Sequence, residues 1–279
     1  MNKTILRAAL ATAAALALAS SLALAGAVQA STLPTLTLAL TKSSITVGGT
    51  TQSGAVNVVS TDTGVKEGGT ILFELKPGAT VAEVEAAMTH GAGKDPNEVS
   101  KYGSIVFDVE VNPGQTSEAQ TILAPGQYVA LGAEGEGSPK VKAAFTVTAA
   151  ASPVALPSPQ ATIRSIEFGF RGPSTLHDGE LVRFENEGFL VHMDVAFPAK
   201  SEKAAKEIVK GLLTGKEKGL EKLVVGAPFT FAGPLSHEAF QQETITAKPG
   251  WYVQACFMET QDGRDHTLLG MERIFRIVK

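Results

Sequence analysis

Two stretches of this chain run through the same landmarks at the same spacing, so its fold is expected to contain one unit twice. Each stretch has short strands, one helix, more strands, a Pro-Gly-aromatic turn and a closing strand. The helix candidates are Val81–Met88 and Ala204–Leu213, and the turns are Pro125-Gly126-Gln127-Tyr128 and Pro249-Gly250-Trp251-Tyr252. From Met88 to Pro125 and from Leu212 to Pro249 the separation is the same, 37 residues, which a chance resemblance would not reproduce. Between the two stretches runs Ala149–Gln160, where small residues and three prolines can continue neither a helix nor a central strand, so it is a linker. Ile71–Leu75, Ser104–Val111, Ala144–Val147, Leu181–Phe184 and Thr244–Ala247 are short, β-branched or aromatic, and bounded by turn residues, as strands are. The expectation is an all-β protein of two Greek-key β-sandwich domains, residues 31–150 and 161–279, each with one short helix and joined by the Pro/Ala-rich linker. The second helix carries an apolar stripe of Ala204, Ala205, Ile208, Val209, Leu212 and Leu213 opposite Lys203, Lys206 and Lys210, which suits a helix lying over a core.

Residues 1–30 form a separate element. Lys3 and Arg7 precede an apolar, alanine-rich run from Ala8 to about Ala25, and Val28-Gln29-Ala30 places small residues where a signal peptidase cuts. The expected product is periplasmic or extracellular. No later apolar stretch is long enough to span a bilayer, so no integral membrane segment is expected after signal cleavage. A formal charge of −4 with interspersed signs leaves no basic footprint, which argues against nucleic acid as a partner. Cys256 is the only cysteine, so the chain has no internal disulfide, and an exported lone thiol must be either buried or ligated.

The chemistry gathers near the C-terminus. Within one loop the chain brings together a thiolate (Cys256), an imidazole (His266) and a thioether (Met271), all soft copper ligands. A trigonal site needs a second imidazole, and His192, placed between a strand and the run Met193–Phe197, is the candidate.

The order of one histidine, then cysteine, histidine and methionine ahead of a last strand (Glu272–Val278) resembles the cupredoxin family of plastocyanin-like, blue copper proteins. The resemblance covers about residues 161–279. Its most specific parts are Pro249–Cys256, similar to the family's turn and strand leading into the cysteine, and Gly270-Met271, similar to the pair before the closing strand. It implies that His192, Cys256 and His266 are equatorial copper ligands and Met271 the axial one. Nine residues stand between Cys256 and His266, where the family places only a few. The first half resembles a cupredoxin repeat without ligands: Gly132 falls where Cys256 stands, and no histidine lies between Gly68 and Glu74.

Strand parity gives a contrary expectation. Val191, Met193, Val195 and Phe197 share one face and His192, Asp194 and Ala196 the other, so an apolar-in pattern aims His192 outward unless a bulge re-aims it. Likewise Cys256 shares a face with Tyr252 and Gln254, while Trp251, Val253, Ala255 and Phe257 form the more apolar one. The leading expectation is an exported protein that binds one copper ion in its second domain, for electron transfer to a redox or envelope protein partner or for copper handling. The alternative is a metal-free structural or interaction module of the cell envelope. No oxyanion motif, phosphate loop, zinc spacing or serine elbow is present, so no enzyme is expected.

Overall fold

The computed structural model describes residues 33–90, 96–134 and 139–279. The expected export signal, residues 1–30, lies outside the described residues. The first half contains β1 (Thr35–Leu40), β2 (Ile45–Gly49), β3 (Gly54–Asp62), β4 (Gly68–Leu75), helix α1 (Val81–His90), β5 (Gly103–Val111), β6 (Thr116–Leu123), β7 (Gly126–Glu134) and β8 (Val141–Val147). The second contains β9 (Ala161–Ile166), β10 (Gly169–Arg171), β11 (Thr175–His177), β12 (Leu181–Asn186), β13 (His192–Ala199), helix α2 (Glu202–Leu213), β14 (Phe229–Leu235), β15 (Phe240–Thr244), β16 (Gly250–Ala255) and β17 (Glu272–Val278). The protein is mostly β with two helices. The expected strand at Thr244–Ala247 lies earlier, at Phe240–Thr244: its partner β12 begins at Leu181, opposite Thr244, and beyond that point Ile245 turns to bond Gly179 and Glu180.

The repeat reappears in the strand order. An eight-stranded sheet runs β10-β9-β12-β15-β6-β3-β1-β2, a five-stranded sheet runs β11-β17-β16-β13-β14, and a four-stranded sheet runs β5-β4-β7-β8. Match β9 to β1, β12 to β3 and β15 to β6, and the eight-stranded sheet reads the same from either edge. The parallel pairs β1–β3 and β9–β12 correspond as well. The other two sheets match as β13 to β4, β14 to β5, β16 to β7 and β17 to β8. The two halves therefore share one sheet, joined where Gln242 of β15 pairs with Gln120 of β6. Gln242 donates to Gln120 Oε1 (2.9 Å) and to the linker's Pro157 carbonyl (3.0 Å) while accepting from Arg183 (2.8 Å). In the facing layer Ser236, just beyond β14, donates its N–H to the Ile105 carbonyl of β5 and accepts the Ile105 N–H on its hydroxyl. A Cβ at Gly233 would collide with the Asp108 carboxyl, so β14 and β5 approach closely because that residue is glycine.

The five-stranded sheet is covered on both faces. Ala196, Tyr252, Phe275 and Ile277 face the eight-stranded sheet, packing with Ile163, Val182 and Phe184. Val195, Phe197, Val253 and Ala255 lie under α2, against Ala205, Ile208 and Leu212. Burying side chains of this size contributes about 2 kcal/mol each. Ser201 caps α2 by accepting the Ala204 N–H. Leu213, expected in the apolar stripe, is exposed, because one residue past Leu212 the helix has turned about 100° away from it.

Candidate metal centre

Double coverage explains where the parity expectation for His192 went wrong. The more apolar face of β13 and β16 packs under α2, which leaves His192, Asp194, Gln254 and Cys256 on the face turned into the sandwich. His192, Cys256 and His266 are all fully buried. β13 also shifts register against β14 between His192 and Asp194 and again at Val195, an irregularity of the kind that re-aims side chains beside sites.

Four elements deliver the four expected residues. His192 opens β13, Cys256 directly follows β16, His266 starts a 3₁₀ turn ending at Leu269, and Met271 directly precedes β17. The nine residues between Cys256 and His266 form a self-closing turn. Thr260 donates its N–H to the Arg264 carbonyl, Gly263 donates back to Thr260, and Glu259 bridges Asp265. The His266 N–H then bonds the Met258 carbonyl, so the long excursion returns the imidazole to the thiol. Met271 is fully buried, its N–H bonded to the His266 carbonyl and its carbonyl to the Cys256 N–H.

The ligand atoms converge. His192 Nδ1 lies 3.2 Å from His266 Nδ1, and Cys256 Sγ lies 3.4 Å from His266 Nδ1 and 3.8 Å from His192 Nδ1. A point equidistant from three atoms so spaced is about 2 Å from each, within a few tenths of an ångström of ordinary metal–nitrogen and metal–sulfur bonds. The donor set of one thiolate and two imidazoles therefore fits a small soft ion by chemistry and by size. The Met193 N–H donates to Sγ at 3.4 Å, a bond that favours negative charge on sulfur.

The surroundings keep the trio dry and neutral. Burial, and then the neighbouring His266, lower the His192 pKa to about 3. Burial likewise lowers His266 to about 4 against the opposing pull of Asp265 and Glu167. Burial pushes the Cys256 thiol up to about 12, opposed by the N–H groups of Met193 and Met258. Without a metal, the three groups are an uncharged thiol and two uncharged imidazoles at neutral pH. Asn186 fixes the chain ahead of His192: its Oδ1 accepts from Ser165 and the Gly188 N–H, and its Nδ2 donates to the Leu190 and Leu235 carbonyls. Gly188 packs on the His192 ring so closely that a Cβ there would sit 2.7 Å from Nε2. Phe168 stands edge-on to His266 at 5.3 Å. Sequence reasoning singled out neither Gly188 nor Phe168, since no spacing rule connects them to the ligands. His177 and His237 are exposed and take no part in the cluster.

The first half shows what replaces the site in the repeat. The strand registers set Gly68, Gly132 and Val141 in the places of His192, Cys256 and Met271. Leu40 fills the space between them: a Cβ at Gly68 would meet its Cδ2 at 3.1 Å, and one at Gly132 would collide with its Cδ1. Leu40→Ala is expected to cost about 2–5 kcal/mol, read as a lower urea midpoint, because a buried leucine leaves a cavity that backbone alone cannot close.

No family model matches the chain, and no curated protein matches it. Among solved structures it is similar to reduced auracyanin from the photosynthetic bacterium Roseiflexus castenholzii (16% identity over 42% of this chain and 95% of that one, TM-score 0.27). It is also similar to auracyanin A, a "blue" copper protein from Chloroflexus aurantiacus (18%, 42% and 96%, TM-score 0.26). A copper nitrite reductase from Nitrosomonas europaea is similar over 88% of this chain and 93% of its own (12% identity, TM-score 0.24). Likenesses of this degree carry no weight by themselves, and the reading rests on the strands and side chains described above. In strand order, and in drawing its buried histidine–cysteine–histidine trio from the start of one strand and the loop between the last two, the C-terminal half is cupredoxin-like.

Proposed function

We propose that this chain is an exported, two-domain cupredoxin-like electron carrier that binds one copper ion through His192, Cys256 and His266, with Met271 as a weak fourth ligand. The observation that carries the reading is the triangle of Nδ1, Nδ1 and Sγ, three buried atoms within 3.8 Å of one another. Copper held there would supply one-electron transfer. The residues supply constancy of shape: β13, β16 and the returning turn hold the ligands, and burial keeps water from the donor atoms. The turn's own hydrogen bonds favour a carrier over a site that opens to hand its metal on. The alanine-rich leader supports a periplasmic or extracellular location, and the partner in this reading is another redox protein of that compartment.

Adding Cu(II) to the metal-free protein is expected to produce an intense visible band from thiolate-to-copper charge transfer. Free copper at 100 times its Kd should stabilise the fold by about 2.7 kcal/mol, raising Tm by about 5–10 °C in a chain of this size. Colourless protein with unchanged Tm would overturn the reading and leave a metal-free structural module. Copper affinity should also depend on pH. Cys256 enters as a thiol and must lose its proton, so affinity should rise about tenfold per pH unit from roughly pH 5 to 9, where both imidazoles are already neutral. Below about pH 4 the imidazoles also take up protons and the dependence should steepen. A flat profile in copper titrations would show that the thiol is ionised before metal arrives.

A further inference from the structure

We propose that the half without ligands takes part in the metal centre: Asn97, in the 3₁₀ turn Pro96–Lys101 ahead of β5, is a positioning residue for His192. This rests on the copper reading above. The Val191 N–H, the backbone group immediately before His192, donates to Asn97 Oδ1 at 2.6 Å, across 94 residues of sequence. Val191 is buried, so this donor has no water to turn to if the amide is removed. The five residues leading to His192 are thus held by two asparagines, one from each half. Asn186 takes the Gly188 N–H and the Leu190 carbonyl, and Asn97 takes the Val191 N–H. Beyond Val191 the strand departs from regular pairing with β14, so the neighbouring ladder gives weak control over the direction in which the imidazole points. The turn that carries Asn97 leads into β5, whose start the Ile105–Ser236 exchange ties to the end of β14. Groups that orient a ligand without touching the metal commonly change metal affinity 10–100-fold.

The full chain tests this with Asn97→Ala, which removes the acceptor, and Asn97→Asp, which keeps one. In copper-free protein, Asn97→Ala is expected to speed amide exchange at Val191 and to shift the His192 ring resonances. With Cu(II), affinity should fall about tenfold and the visible band should move. Asn97→Asp should restore ring position, affinity and band towards wild type. If Asn97→Ala does not fold, Asn97→Gln, whose acceptor stands one methylene too far, should show the same changes. Wild-type ring resonances and band in the Ala or Gln variant, or an Asp variant no better than Ala, would overturn the proposal. Wild-type protein that binds no copper defeats the copper reading alone, since the exchange and ring measurements need no metal.

Discussion

Cys256→Ser is expected to abolish the visible band of the copper-loaded protein and to weaken copper binding roughly 10²–10³-fold. Structural metal sites with four protein ligands bind with about 10–16 kcal/mol, so one strong ligand accounts for about 3–4 kcal/mol of that. The loss should exceed this share for Cu(I), which thiolate holds far better than hydroxyl oxygen does. The fold should survive. Serine fits the buried space of Cys256 and can still accept the Met193 N–H, so the metal-free variant should melt within a few degrees of wild type, for about 1 kcal/mol of buried hydroxyl. Absorption, copper titration and calorimetry on one preparation separate the effects. A variant that keeps the band would place the copper elsewhere in the chain.

Gly188→Ala is expected to damage the site from outside it. A Cβ at position 188 would sit 2.7 Å from His192 Nε2, a contact that real side chains essentially never make, and 3.0 Å from Cδ2, which is tighter than nearly all of them. The local backbone tolerates alanine, since Gly188 is not among the glycines at positive φ, but Asn186 anchors it through the Gly188 N–H. The imidazole is therefore the part that yields, and its Nδ1 swings away from Sγ. Copper affinity should drop about 10–100-fold, and the fold should lose about 1–3 kcal/mol from overpacking. Affinity at the wild-type value would show that the 187–190 loop moves instead. The two variants are complementary: one removes a donor atom, and the other leaves every donor present but misaims one.

The members of the buried cluster were legible in the sequence because few residues offer such donors: one cysteine and five histidines stand in the whole chain. The repeat was legible because spacing survives where identity does not. Other features rested on contacts that a single chain does not spell out. The outward expectation for His192 assumed that the more apolar face of a strand is the only buried one. In β13 and β16 both faces are covered, and Gln254 can lie inside because its amide donates to the Asp194 carboxyl. Burial raises the Asp194 pKa to about 8, so that carboxyl is largely uncharged at neutral pH. The span of nine residues between Cys256 and His266 is tied shut at Thr260, Gly263 and Arg264 through short-range bonds that residue spacing alone does not show. Asn97 sits outside the half that carries the ligands, and nothing in its surroundings in the sequence connects it to position 192.

A sheet whose strands read alike from both edges is what a twofold homodimer becomes once its subunits are spliced into one polypeptide. Splicing frees the two poles from having to be identical. In this chain one pole keeps polar donors while the other has been given over to hydrocarbon, with Leu40 standing where a metal would. What constrains substitutions at the hydrocarbon pole is therefore the packing around Leu40, not the aim of any donor atom.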